Sequence, residues 1–298
     1  MGIDRPEDGD TPGDAPAGRG GPDAGPLSDP SARMAEQAWY RGTVEKVYAA
    51  ARDAWTEAVP GLRAAWAKHE QHYPERTRLA PRTQPDGSWV DGGNRELTPE
   101  HNAEAAKACA DTRDEGREIV LPAMRRVEAA DPGRRLAGLK NMLKGEDRLK
   151  EKIADYLRAP GVTVREALGM VPDAVRFTLT YSTERYADGV RADVERLTAE
   201  GFELMKLKNL WTNEQYKGIN SQWRRPETGL RFEMQFHTPE SLEAKELTHK
   251  AYERLRGSQA TSPAERRELE NFQRRVNVLI VTPPGTAEIK DFPENDNG

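Results

Sequence analysis

Leu230-Arg231-Phe232-Glu233-Met234-Gln235-Phe236-His237-Thr238 alternates as a half-buried strand does, and the rest of the fold can be built outward from it. At period two, Leu230, Phe232, Met234 and Phe236 share one face, while Arg231, Glu233, Gln235 and His237 share the other. One face packs; the other meets water or does chemistry. Upstream, Val175, Phe177, Leu179 and Tyr181 alternate with Arg176, Thr178 and Thr180 in a second such strand, with Asp173 just ahead of it. Two strands of one sheet would gather Asp173, Arg176, Glu233, Gln235 and His237 on a common polar surface, a set that suits a metal ion and a phosphate. Polar alternation alone is equally what the solvated side of an antiparallel sheet shows.

Between these strands, Tyr186, Val190, Val194 and Leu197 predict a helix ended by Gly201, followed by a strand from Phe202 to Lys208. A polar loop over 209–218 then holds Trp211 and Tyr216. Ile219–Arg224 is read as a strand joined to the central one through the turn Pro226-Glu227-Thr228-Gly229. Thr238-Pro239 opens a helix that carries Lys245, His249, Tyr252 or Glu253, and Arg256 down one side. Ser262-Pro263-Ala264-Glu265 fits a capping box. The helix it starts is expected to lead into a last buried strand over Val276–Val281, with a loose polar tail from Pro283.

Toward the N-terminus, Arg134–Arg158 is predicted as a helix on which Lys140, Lys144, Arg148 and Lys152 recur every fourth residue. Like charges at that spacing repel by a few tenths of a kcal/mol per pair, unless anions such as Glu146, Asp147 and Glu151 offset them. Thr98-Pro99 starts a helix that continues through a kink at Pro122 to Asp131-Pro132-Gly133. Residues 73–97 are read as a loop. A helix from Met34, with Tyr40, Val44, Val47, Ala51, Trp55 and Ala58 along one side, is expected to stop before Pro60, and Leu62 and Trp66 begin a shorter one. His69 and His72 are three apart rather than at the zincin spacing of four, so they are read as a solvated helix end.

Composition bounds the rest. The chain has 298 residues, of which 36% are hydrophobic, which allows one or two domains with some of the length unpacked. Residues 1–33 hold seven Gly, six Pro and six Asp and only Ile3 and Leu27 as larger aliphatics, which predicts a disordered tail. A net charge of -5 argues against general adhesion to nucleic acid while permitting a local basic groove. The single Cys109 excludes an internal disulfide and is read as small-residue packing on an alanine-rich helix. With no run of about 18 apolar residues and no classical secretory signal, a cytoplasmic location without membrane partners is the default expectation, export by a non-classical route being the alternative. Neither a P-loop nor G-x-G-x-x-G occurs. The fold class expected is α+β, a mixed β-sheet flanked by helices. Its divisions are a tail over 1–33, a helical region over 34–130, the sheet domain over 131–282 and a flexible tail over 283–298.

Four stretches stand in sequence across roughly 136–256: Lys144-Gly145-Glu146-Asp147-Arg148-Leu149-Lys150-Glu151-Lys152-Ile153, Val171-Pro172-Asp173-Ala174-Val175-Arg176-Phe177, Tyr216-Lys217-Gly218-Ile219-Asn220 and Glu233-Met234-Gln235-Phe236-His237-Thr238. Together they resemble the synthetase domain of the RelA/SpoT family, bacterial enzymes that make the alarmone (p)ppGpp. The wording of 171–256 is most similar to nucleotide 3'-pyrophosphokinases and toxin-like small synthetases. Met142, Arg176, Thr178, Asn220 and His237 stand where the family carries arginine, glycine, arginine, histidine and arginine.

The resemblance implies a nucleotidyltransferase-like sheet and transfer of pyrophosphate from ATP to the 3'-hydroxyl of a purine nucleotide, GDP, GTP, ADP or ATP. It implies Mg2+ as cofactor, held by Asp173 and Glu233. Asp173, Glu233 and Gln235 become the expected catalytic residues, and Lys144, Lys152, Arg148 and Arg176 the expected ATP-phosphate ligands. Tyr216, which matches the tyrosine that stacks on the acceptor base, together with Lys217, Asn220, His237 and Lys208, is expected to face the acceptor. The chain has no His-Asp dipeptide, so the resemblance implies synthesis without hydrolysis. Modification of the tRNA 3' end, and non-catalytic nucleotide sensing on the same scaffold, are the alternatives.

Overall fold

The computed structural model describes residues 30–75, 79–256 and 262–293. The tail expected over 1–33 lies outside them as far as residue 29; residues 30–33 already belong to helix α1, Pro30–His72. The chain divides into two compact units, Met1–Lys46 and Val47–Gly298. The second unit holds the sheet and the candidate site.

The centre is a five-stranded sheet in the order β4-β5-β8-β7-β6, formed by β4 (Arg134–Ala137), β5 (Val175–Tyr181), β6 (Glu203–Asn209), β7 (Ile219–Arg224) and β8 (Arg231–His237). β5 and β8 run parallel, and every other neighbouring pair is antiparallel. The sheet is therefore mixed, and with its flanking helices the fold is α+β. The apolar residues at period two, Val175, Phe177, Leu179, Ile219, Trp223, Phe232, Met234 and Phe236, form one core with Tyr186, Val190 and Leu197 of α6 (Tyr186–Ala199) and Met124 and Val127 of α3 (Leu121–Ala129). Phe236 is fully buried; truncating such a residue to Ala costs about 3–5 kcal/mol.

Register decides what the other face presents. Arg176 lies opposite Glu233, Glu233 opposite Gln222, and Gln222 opposite Lys206. One step along, Thr178, Gln235, Asn220 and Lys208 form a second row. The two strands read as alternating are thus neighbours, and their polar residues lie side by side.

A second core holds α4 (Glu146–Tyr156) beside the sheet. Its Leu149 and Ile153 pack with Ala105 and Cys109 of α2 (Pro99–Glu115), with Val164, Ala167 and Leu168 of α5 (Val164–Gly169), and with Trp89 and Leu97. Trp89 and Leu97 belong to a small antiparallel sheet of β1 (Arg82–Thr83), β2 (Trp89–Val90) and β3 (Glu96–Leu97), in the region read as a loop. Thr98 caps α2 through a hydrogen bond from the His101 amide, as its sequence indicated. The kink expected at Pro122 is a π-helical turn over Gly116–Val120, with Pro122 in the first turn of α3. Gly116 permits that turn to approach the sheet, because a Cβ there would sit 3.1 Å from Val175 and 3.2 Å from Leu143.

Several local expectations are corrected. α1 does not stop at Pro60: Trp55, Leu62 and Trp66 bury on one stripe across it, while Pro60 itself is exposed. Val47, placed on that stripe by spacing, is 56% exposed. Arg134–Arg158 is not one helix, since Arg134–Ala137 pairs with β5 as an edge strand and α4 begins only at Glu146. Arg134 is buried there by pairing with Asp193, which also accepts a hydrogen bond from Tyr181 at 2.6 Å. Val276 and Asn277 are the last turn of α8 (Pro263–Asn277), not a strand; Phe272, Val276 and Ile280 are buried at a spacing of four, and Val278 is 78% exposed. The stretch after Pro283 is tied down as far as Phe292: Leu207 and Phe292 exchange backbone hydrogen bonds of 2.7 and 2.9 Å, and Asn209 donates to the carbonyls of Thr286 and Ile289.

Candidate active site

The polar face of the sheet receives Lys245 of α7 (Pro239–Arg256) at Gln235. It has a charged half over β5 and β8 and a neutral, hydrogen-bonded half over β7 and the end of β8.

The charged half centres on Arg176. Its Nη2 donates to Asp173 Oδ2 at 2.7 Å and its Nε to Glu233 Oε2 at 2.6 Å, so one guanidinium joins the two carboxylates. Lys144 Nζ donates to the same Asp173 oxygen at 2.7 Å. Backbone hydrogen bonds place Lys144 there: its amide donates to Ala174 O at 3.0 Å, and the Arg176 amide donates to Met142 O at 2.7 Å. Burial would raise the Asp173 carboxyl, but the Lys144 hydrogen bond and the neighbouring cations hold it below the usual range. Burial likewise weakens Arg176 as a base, and Glu233 and Asp173 more than restore it.

More cations line the same half. Lys152, on α4, is depressed by burial and then by the charges of Arg256 and Lys144. Lys245, on α7, donates to Gln235 Oε1 at 2.6 Å, and burial together with Arg176 pulls its ammonium down to about 8. His249 is lowered chiefly by burial, with Lys245, Arg176 and Lys144 adding to it and Glu253 opposing. Lys144, Lys152, Arg176 and Lys245 together mark a candidate site for a polyanion. Arg148 is set apart: its side chain is 61% exposed and pairs with Glu151 at 2.9 Å.

The neutral half is a chain of hydrogen bonds. Tyr216 Oη donates to Asn220 Oδ1 at 2.6 Å and lies 2.9 Å from His237 Nε2, while His237 Nδ1 lies 2.9 Å from Ser241 Oγ. Burial, and then Lys245, pull His237 down to about 3, so its ring is neutral. Ser241 Oγ also donates to Thr238 O at 3.2 Å and accepts from the Thr238 amide at 3.0 Å, so both ring nitrogens of His237 lie against hydroxyls that are themselves anchored elsewhere. Gly218 closes over this ring with φ +154°, and a Cβ there would sit 2.7 Å from His237 Cε1. His237 therefore lies under the surface expected to meet an acceptor, supporting Tyr216. Burial and then Glu233 raise the Tyr216 phenol. Lys217 Nζ donates to Trp211 O at 2.8 Å, and Lys208 stands opposite Asn220 on β6.

The structure thus brings together Asp173, Glu233, Gln235, Lys144, Lys152 and Arg176, and separately Tyr216, Asn220 and His237. Gln222 and Ser241 join these rows outside the expected site residues, and period two in β7 and the position of Ser241 three residues after Thr238 carry a signal for each.

Among the described residues, no group of three or more His, Cys, Asp or Glu side chains is placed to hold a metal alone. Mg2+ characteristically takes one or two carboxylates and leaves its other positions to water and substrate phosphates. Asp173 and Glu233, each offering an oxygen to one shared cation, fit that donor set.

No family model matches the sequence, and no curated protein matches it. Among solved structures, the chain is similar to the small alarmone synthetase 1 from Bacillus subtilis, with 12% identity over 59% of this chain and 92% of that one and a TM-score of 0.41. It is also similar to a GTP pyrophosphokinase family protein from Streptococcus pneumoniae, with 16% identity over 60% and 87% of the two chains and a TM-score of 0.37. A third likeness is smu.1046c from Streptococcus mutans UA159, with 17% identity over 60% and 90% and a TM-score of 0.37. Superposition at these scores does not by itself fix a shared fold, and the site is read from its own residues.

Proposed function

We propose that this protein transfers the β,γ-pyrophosphate of ATP to the 3'-hydroxyl of a purine nucleotide. The observation that carries the reading is the meeting of Asp173 and Glu233 at Arg176, with Lys144, Lys152 and Lys245 around them. Such transfer must bring two polyanions together, so positioning and charge neutralisation supply most of the catalysis. Asp173 and Glu233 would hold Mg2+, which when bound neutralises oxygens of the transferring group. Lys144, Arg176 and Lys152 would hold the donor phosphates, with Lys144 and Arg176 exchanging carboxylate partners for phosphate.

In the reaction, the acceptor 3'-oxygen forms a bond to the β-phosphorus as the bond from that phosphorus to the α–β bridging oxygen breaks, releasing AMP. Glu233 accepts the hydroxyl proton, a role worth roughly 100-fold or more. Gln235, fixed by Lys245, orients the reacting groups. Tyr216, held by Asn220 and His237, carries the acceptor base.

Incubating the purified chain with Mg2+, γ-labelled ATP and each of GDP, GTP, ADP and ATP tests this directly. A labelled 3'-pyrophosphorylated product that disappears in Asp173→Ala supports it; no product with any acceptor contradicts it. Loss of tRNA charging without nucleotide product would select the tRNA 3' end as acceptor, and nucleotide binding with no turnover would select a sensing module.

A further inference from the structure

Resting on the nucleotide reading above, we propose that Tyr252 is the platform on which the base of the donor nucleotide stacks. On α7, Lys245, His249, Tyr252 and Arg256 follow one another at spacings of four, three and four, which at about 3.6 residues per turn makes a single narrow stripe. Lys245 sets that stripe against the polar face of the sheet by donating to Gln235 at 2.6 Å, and the influence of Arg176 and Lys144 on His249 agrees with it. Tyr252 lies between His249 and Arg256 on the same stripe, and it is 47% exposed. Neither its ring nor its hydroxyl has a partner among the described residues.

An exposed phenol ring one turn from His249 and one turn from Arg256, beside the cations of the site, has the makings of a base-binding surface. The cations hold phosphate and the ring offers a flat face to any base. The ring belongs to the donor: it shares the α4 and α7 side with Lys152 and Arg256, whereas Tyr216 and Asn220 occupy the β7 side. Lys144, Lys152 and Tyr252 would then take the triphosphate and the base of one nucleotide.

Calorimetry on the full chain with Mg2+, using α,β-methylene-ATP and inorganic tripolyphosphate as separate ligands, tests the assignment. Tyr252→Ala should weaken the ATP analogue about tenfold and leave tripolyphosphate unchanged, while Tyr252→Phe should bind as the unaltered chain does. Equal affinity of Tyr252→Ala and the unaltered chain for the analogue would overturn the platform and leave the nucleotide reading standing. Equal loss of both ligands would also overturn it. An unaltered chain that binds neither ligand would overturn both.

Discussion

The two halves of the polar face solve positioning in opposite ways. Over β5, groups are held by charge: Asp173, Arg176, Glu233 and Lys144 satisfy one another as ion pairs. Over β7, Tyr216, Asn220, His237 and Ser241 are held by neutral hydrogen bonds around a buried imidazole. Ion pairs can exchange one anion for another, so the charged half is suited to take a triphosphate. A neutral network in a buried setting has no spare charge to exchange, and unpairing any member is costly, so that half is suited to hold one conformation. The difference separates residues expected to act in chemistry from residues expected to hold shape.

The contrast would break first at Asp173. Asp173→Ala should lower transfer by on the order of 10²–10³ or more with the circular dichroism spectrum unchanged; an activity within a few-fold of the unaltered chain would remove the charged half from the chemistry. Next, Glu233→Gln should reduce kcat by roughly 10²–10⁴, measured by single-turnover kinetics. On the neutral side, His237→Ala removes one partner from each of the Tyr216 and Ser241 hydroxyls, which keep Asn220 and Thr238, and leaves a cavity beneath Gly218. It should cost about 1–3 kcal/mol in urea denaturation and raise the KM for acceptor but not for ATP.

Titration separates the halves further. The folded value of His237, about 3, lies below its ordinary 6.5. In acid the unfolded chain therefore binds a proton that the folded chain refuses, and stability falls as pH drops from 6.5 toward 3. His237→Gln should flatten that slope in pH-dependent denaturation. The smallest effect belongs to Lys245, whose folded value of about 8 lies below 10.5. Between those values the folded chain binds fewer protons, so stability rises with pH there, while the lost cation weakens nucleotide binding above about 8. Lys245→Met should remove both trends.

Much of the sheet was legible because each long strand buries one face, and period two then marks Arg176, Glu233 and Gln235 together, with Asp173 just ahead of its strand. β4 was not: it is a four-residue edge strand whose first residue, Arg134, is charged, and its burial depends on Asp193 nearly sixty positions away. The apolar run after Val276 misled because a short hydrophobic segment has no period of its own, and here it completes the stripe of α8. In the site, lysine spacing alone put Lys140, Lys144, Arg148 and Lys152 on one face, yet Lys144 is fixed by backbone hydrogen bonds to the start of β5 and only Arg148 and Lys152 lie on α4. The neutral anchor was illegible for a different reason. His237 is silenced by burial beneath Gly218 and by partners from separate elements, which meet only once β7, β8 and α7 are assembled.

The most direct measurement is a Mn2+ titration of the full chain with α,β-methylene-ATP, followed by electron paramagnetic resonance, in the unaltered protein and in Asp173→Ala and Glu233→Ala separately. If the two carboxylates serve one cation, the unaltered chain binds Mn2+ with the analogue and either substitution alone abolishes or strongly weakens that binding. Undiminished Mn2+ binding in both variants would contradict it.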